Sequence, residues 1–378
     1  MVYLDNSATT RVCSRAAEKM MQCMREDYFN PSALYAPSLH VEKAMKACRQ
    51  AILQKVHGGD ARVIFTSGGT EADNLAILGG LASCRDGGRV LYSAGEHPAV
   101  REACLNVKGL EAQEIPYDRE GRVRLDVLED MLDADVRMIC VMQVNNETGA
   151  VQPLEEISRL RDRKCADALL HVDGVQGFLR VPFDMRALKV DSYALSGHKI
   201  HAPKGVGALV AGSRLRLTPR MVGGGQENNL RSGTENTPGI LALGEAIAAY
   251  PGNGDMRRVK CYLYEKLMEL VPDARVNGPD PASDLSAPHI LNISLPPVRS
   301  ETMLHALEGM GIYVGIGSAC SSHKQKVSHT LRTMHVEQKY AESALRFSFC
   351  PDNTREEMDT VLQAFEKNYA LLSRYQRR

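Results

Sequence analysis

Short apolar runs recur along the first two thirds of the chain, at residues 62–67, 89–93, 136–144, 169–172, 192–195 and 206–211. Runs this short, continuously apolar and bounded by turn residues, predict strands buried on both faces. Helical patterns fill the gaps, at 70–82, 124–132 and 154–168. Strands alternating with helices imply a largely parallel sheet, with the chemistry at the carboxyl ends of its strands. No internal repeat or low-complexity tract interrupts the pattern.

The pattern breaks at Pro251-Gly252-Asn253-Gly254, a run of turn formers that reads as a domain boundary. Beyond it the chain predicts a helix at 256–270, a strand at 290–294, a helix at 301–310 and a strand at 345–349. A long amphipathic helix ends the chain, and its start, Thr354-Arg355-Glu356-Glu357, fits a capping box. The expected organisation is a large α/β domain over 13–250. A smaller α+β domain combines 1–12 with 251–378.

Composition narrows the function classes. Lysine plus arginine and aspartate plus glutamate both number 46 in 378 residues, so net charge argues against a binder of nucleic acid or other polyanions. The first residues show neither a basic nor an apolar signal region, and no apolar run is long enough to span a bilayer. The ten cysteines are scattered, the closest being Cys13 and Cys23, and no C-x-x-C pair occurs. That usage fits a reducing cytoplasm, with most thiols acting as small buried hydrophobes.

Candidate chemistry begins at Ser196-Gly197-His198-Lys199, which follows a predicted strand. A partly desolvated lysine there loses its proton readily and can form a Schiff base, and Ser196 and His198 can donate to a phosphate. Pyridoxal phosphate (PLP) is the cofactor such a lysine suggests, although a surface lysine would look the same in isolation. Upstream, Leu169-Leu170-His171-Val172-Asp173 is an apolar run ending in an acid. PLP draws electrons only while its ring nitrogen is protonated. A buried Asp173 would hold that proton, and Gln176 could reach the phenolic oxygen. A turn aspartate capping its own backbone is the plainer alternative.

Further candidates stand at the same sheet edge. Ser67-Gly68-Gly69-Thr70 passes from a strand into a helix and offers amides, a dipole and a hydroxyl to an anion. His97 follows the next strand and can stack on a pyridine ring or move protons, unless it is a loop histidine. Asn146, in Val144-Asn145-Asn146-Glu147-Thr148-Gly149, ends another strand, as a ligand group or as part of a plain turn. The glycine-rich stretches 223–227 and 231–236 either link elements or reach across a dimer interface to a phosphate. Cys320 lies among small, polar residues with His323 and Lys324 close behind, a setting that favours a mobile thiolate. Arg346 interrupts an apolar strand, and a bidentate grip on a substrate carboxylate would explain it.

With these residues on the page, the chain closely resembles the cysteine desulfurases of the NifS/IscS type, class V aminotransferases of PLP fold type I. The matching segments run nearly end to end: YLDNSATT, NPSALY, TSGGTEADN, EHPAV, VNNETG, HVDGVQ, SGHKIHAPKGVG, RSGTEN, GSACSS and LRFSF. The resemblance implies an aspartate-aminotransferase-like fold with a mainly parallel seven-stranded sheet, and conversion of L-cysteine to L-alanine. It makes Lys199 the Schiff-base lysine and proton shuttle, with His97 stacked on the ring and active in acid–base steps. It places Asp173 on the ring nitrogen and Gln176 on the phenolic oxygen. Gly69, Thr70, Ser196 and His198 lie at the phosphate, joined by Thr234 from the other subunit of a homodimer. Asn146 and Arg346 position the substrate. Cys320, on a loop at about 315–330, takes the sulfur as a persulfide and passes it to an acceptor protein of iron–sulfur assembly or of tRNA or cofactor thiolation.

Two departures stand out. Tyr35 replaces a histidine common in relatives, and His323, Lys324 and Lys326 follow the cysteine where small residues are usual. Selenocysteine cleavage, transamination and a non-catalytic assembly platform remain as alternatives that the same residues would permit.

Overall fold

The computed structural model describes residues 1–84, 87–317 and 328–374. Its strands in chain order begin with β1 (Val2–Tyr3), β2 (Arg62–Thr66), β3 (Arg89–Ser93) and β4 (Glu111–Ile115). They continue with β5 (Val136–Met142), β6 (Leu169–Asp173), β7 (Ser192–Ser196) and β8 (Gly207–Ala211). The last four are β9 (Arg275–Val276), β10 (Ile290–Ser294), β11 (Ile312–Tyr313) and β12 (Ala344–Ser348). The main sheet has seven strands in the order β2-β8-β7-β6-β5-β3-β4. Only β8 runs against the rest. The reason is local: β7 and β8 are joined by ten residues, too few for the crossover that parallel strands need. Lys199 lies on that short reversal.

Side chains alternate along the strands and build a core on each face. Val63, Phe65, Ile139 and Val141 pack under the helices Ser14–Arg25, Ala36–Val56 and Thr237–Ala249. Ile64, Met138 and Cys140 pack on the other face, under Gly69–Asn74 and Pro98–Leu105. A separate core forms from Leu263 and Leu267 of helix Met256–Leu270, from β10 and β12, and from Val361 and Phe365 of helix Arg355–Leu372. Val2 and Leu4 belong to this last core, because β1 pairs with β11 and the Ser348 amide donates to the Leu4 carbonyl at 2.7 Å.

Most predicted elements appear within two residues of their expected ends, and the differences have local causes. β4 escaped the apolar pattern because it is an edge strand with only its last residue buried, and its sequence is mostly polar (Glu-Ala-Gln-Glu-Ile). The helix expected at 70–82 is α-helical over Gly69–Asn74 and then widens into a π-helical turn at Leu75–Gly79. The helix from Leu154 stops at Lys164 rather than at 168. There the fully buried Arg161 reaches past it to the Ala168 carbonyl and to Asp191. The Thr354–Glu357 capping box forms as expected.

One glycine governs how the functional turns meet. Gly207 pairs with Ser196 on one side and Thr66 on the other. A Cβ there would lie 2.6 Å from the Leu195 carbonyl oxygen and 2.7 Å from the Gly68 Cα. Backbone cannot yield as a flexible side chain does, so the three strands close up only around a missing side chain. Gly207→Ala is expected to lower unfolding free energy by about 1–3 kcal/mol, read as a shifted urea midpoint. An unshifted midpoint would mean the contact is looser than these distances imply.

Candidate active site

The carboxyl ends of β2, β5, β6 and β7 enclose a cavity of about 210 Å³. It brings together Gly69, Thr70, His97, Asn146, Asp173, Gln176, Ser196, His198, Lys199 and Arg346, with Ser7 and Ala8 from the N-terminal segment. A wider depression of about 860 Å³, near Arg180 and Tyr250, holds none of the ten. Thr234 is exposed on the loop before helix Thr237–Ala249 and does not line the cavity. Cys320 lies outside the described residues.

Lys199 ends a single 3₁₀ turn, and its Nζ donates to the carbonyls of Ser7 at 2.6 Å and Ala8 at 2.8 Å. Ser7 is itself tied to the C-terminal region, its amide donating to Ser348 Oγ at 2.9 Å. The Gln176 amide nitrogen donates to the same Ser7 carbonyl at 2.9 Å, and its oxygen faces His289 Nε2 at 3.3 Å. His97 is the N-cap of helix Pro98–Leu105, with Nδ1 accepting from the Ala99 amide at 3.1 Å. That bond puts the proton of the neutral ring on Nε2. Burial, then the charge of Lys199, pushes the His97 pKa down to about 4, so the ring is neutral at pH 7.

Asp173 ends β6 and accepts the Val175 amide at 2.9 Å. Burial, and after it the nearby Asp73, raises its pKa to about 7. Burial also pushes Asp73 and Glu96 well above the usual carboxylate range. Glu96 Oε1 accepts from Ser93 Oγ at 2.5 Å and the Met142 amide at 2.6 Å. His171 lies two residues before Asp173 on the strand, with Nδ1 2.9 Å from Ser192 Oγ and Nε2 3.2 Å from Asp73 Oδ1. The His171–Asp73 contact has the separation of an ion pair. Burial nevertheless lowers the histidine to about 4 while raising the acid, so it disfavours the charged form of both partners.

Arg346 is fully enclosed. Its Nη2 meets Asp5 Oδ1 at 2.8 Å and its Nη1 donates to the Asn146 carbonyl at 3.0 Å. The arginine expected to grip a substrate thus has a carboxylate partner within the chain. Asp5, Asp73, Glu96 and His171 were not singled out from the sequence. His171 carries the clearest local signal, since residues i and i+2 of a strand share a face.

The donor set suits PLP. Ser196, Thr70 and the Gly69 turn can take a phosphate at a helix start. A side chain at Gly69 would meet Val175 Cγ2 at 2.6 Å, so any other residue there would have to displace that β-branched side chain. The buried Asp173 carboxyl is stabilised by any cationic N–H placed beside it, which a pyridinium supplies.

The buried histidines make a pH prediction. A His171 pKa of about 4, below the ordinary 6.5, stabilises the fold fully above pH 6.5 and progressively less as pH falls toward 4. Relative to a His171→Gln variant, the wild type should lose about 3 kcal/mol over that range in urea unfolding. Parallel pH profiles for the two proteins would rule this out.

The chain's resemblances fit this geometry. Residues 2–361 match the aminotransferase class-V family. The chain is 37% identical over 371 residues to the cysteine desulfurase NifS of Azotobacter vinelandii and 35% identical over 371 to the cysteine desulfurase of Trichormus azollae, covering 96% of this chain and 91% of each relative. A solved structure described as a NifS-like protein superposes with a TM-score of 0.88 at 33% identity, covering 98% of this chain and all of that one. The NifS-like protein of Rickettsia africae follows at 0.86 and 28%, covering 98% and 99%. The chain belongs to the aminotransferase class-V family and, within it, to the PLP-dependent cysteine desulfurases.

Proposed function

We propose that the protein converts L-cysteine to L-alanine, with Lys199 and His97 handling protons and Cys320 receiving the sulfur. The observation that carries the reading is the convergence of Lys199, Asp173 and His97 on one cavity walled by Asn146 and Arg346. PLP, when bound, supplies an electron sink that weakens bonds at the substrate's α- and β-carbons. Asp173 would hold the proton at the ring nitrogen, and Gln176 would serve the phenolic oxygen with the amide hydrogen not given to Ser7. The Gly69 amide, Thr70, Ser196 and His198 would hold the PLP phosphate. Lys199 Nζ, donating to two carbonyls at the cavity rim, is placed to carry a proton to and from the substrate α-carbon. His97, neutral at pH 7, would pack on the ring and take up a proton only transiently.

Arg346 and Asn146 orient the substrate carboxylate. Arg346 keeps its bond to Asp5 on one side, so its hold on the substrate comes from the remaining face of the guanidinium. The Cys320 thiolate then attacks the substrate sulfur. An S–S bond forms, the C–S bond breaks with its electron pair passing to carbon, and that carbon takes a proton to give alanine. The persulfide is handed to an acceptor protein of iron–sulfur assembly or of tRNA or cofactor thiolation.

A homodimer completes the site in this reading, with Thr234 of one subunit at the phosphate of the other. The exposed Thr234 supports it, as do exposed apolar side chains at Tyr28, Leu34, Tyr35, Met221 and Val222. A cytoplasmic location is in keeping with unpaired thiols at all nine cysteines among the described residues.

The test mixes purified protein with L-cysteine and follows alanine and sulfide. Lys199→Ala should lose the visible cofactor band and slow alanine formation by at least about 100-fold. Cys320→Ala should keep the band and cease to form alanine. Normal turnover by Cys320→Ala would sink the persulfide route and leave a PLP lyase or transaminase.

A further inference from the structure

One buried histidine beside the cavity has no part in the scheme above. His289 stands just before β10, is fully enclosed and does not itself line the cavity. Its main chain is fastened on both sides. The Phe349 amide donates to its carbonyl at 2.9 Å, and two residues earlier the Ala287 amide donates to the Gly149 carbonyl at 2.8 Å. The buried Lys260 amine ties down the same stretch, donating to the Ala287 carbonyl at 2.8 Å and to Ser286 Oγ at 2.9 Å. So held, the ring presents Nε2 to Gln176 Oε1 at 3.3 Å, across 113 positions of chain.

The neighbours decide where the ring carries its proton. The Ser7 carbonyl only accepts, so the Gln176 group that meets it at 2.9 Å is the amide nitrogen, and the group that meets His289 is the amide oxygen. That oxygen also only accepts, which makes Nε2 of the histidine the donor. Nδ1 is then the unprotonated nitrogen, and it is buried with no hydrogen-bond partner among the described residues. Burial, then the charges of Arg180, Lys260 and Arg346, hold the ring's pKa well below its ordinary value and keep it neutral. The ring has one N–H to give, and Gln176 receives it.

We propose that His289 is a positioning residue for the cofactor, acting through Gln176. The Ser7 carbonyl alone would leave the Gln176 amide free to swing about a single hydrogen bond. With His289 at its oxygen the amide is held at both ends, and its second hydrogen is left for the cavity that Gln176 lines. A donor fixed before the ligand arrives need not be ordered on binding, which removes part of the entropic cost of taking up PLP. The inference rests on Gln176 as the residue at the phenolic oxygen.

The test strips PLP from the full chain and titrates it back, following the visible cofactor band to obtain a dissociation constant. His289→Leu and His289→Ala both remove the donor, one filling the space and the other leaving it open. His289→Gln keeps an N–H near the position of Nε2. PLP binding should weaken by about 3- to 10-fold in His289→Leu and His289→Ala, and by less in His289→Gln. The same changes are made in a Gln176→Ala background, where they should have no further effect because the group they position is gone. Wild-type affinity in the donor-free variants overturns the proposal, as does a His289→Gln variant no better than His289→Leu. Equal weakening in both backgrounds overturns it too, since His289 would then act on the fold and not through Gln176. Failure of both donor-free variants to fold, read by urea unfolding of the PLP-free chain, has the same meaning. Failure of the Gln176 reading looks different: Gln176→Ala then binds PLP as tightly as wild type, whatever residue stands at 289.

Discussion

The site depends on backbone crowding at one point in the sheet. β8 is forced between β2 and β7 in the wrong direction by a connection too short to cross over, and it fits only because Gly207 brings no side chain. That fit lays the Gly68-Gly69-Thr70 turn beside Ser196 and projects Lys199 from the reversal into the same space. The parallel strands β5 and β6 then deliver Asn146 and Asp173 from the neighbouring carboxyl ends. A glycine turn at a helix start, a lysine and a buried acid thus come from three separate strand ends, and the sheet register holds them together.

Burial sets the electrostatics of this space. Desolvation pushes Asp73, Glu96 and Asp173 toward their protonated forms and His97 and His171 toward their neutral ones, so few charges remain near the cavity floor. A cation bound beside Asp173 would favour its ionised form, as Lys199 already does in part. At the rim the charges are retained and paired, with Arg346 on Asp5 and Lys199 on main-chain carbonyls.

Much of this was legible in the sequence, for identifiable reasons. Continuous apolar runs ending in a polar residue marked β6 and β7, and their last residues proved to be neighbours at the cavity. β4 was not legible, since an exposed edge strand needs no apolar pattern. Neither was the partner of Arg346: Asp5 lies 341 residues away, and nothing local to either residue announces the pair. His289 had no assigned task either, because its hydrogen-bonding partner Gln176 lies 113 positions upstream. Sequence pattern locates groups within one turn or strand. It is silent on bonds that only the closed fold creates.

The N-terminal segment has a further consequence, which concerns the order of events during synthesis. Its first strand pairs with β11, its Leu4 carbonyl and Asn6 and Ser7 amides bond to Ser348, and its Ser7 and Ala8 carbonyls hold the Lys199 amine. This segment must therefore wait for Ser348, 341 positions downstream of Ser7, before it can settle, a sequence separation that carries a large loop-closure cost. A nascent chain can complete the main sheet while Lys199 still lacks its wall. The lysine acquires its surroundings only after β12 has emerged, so a chain cut before β12 would carry an open, unfinished pocket.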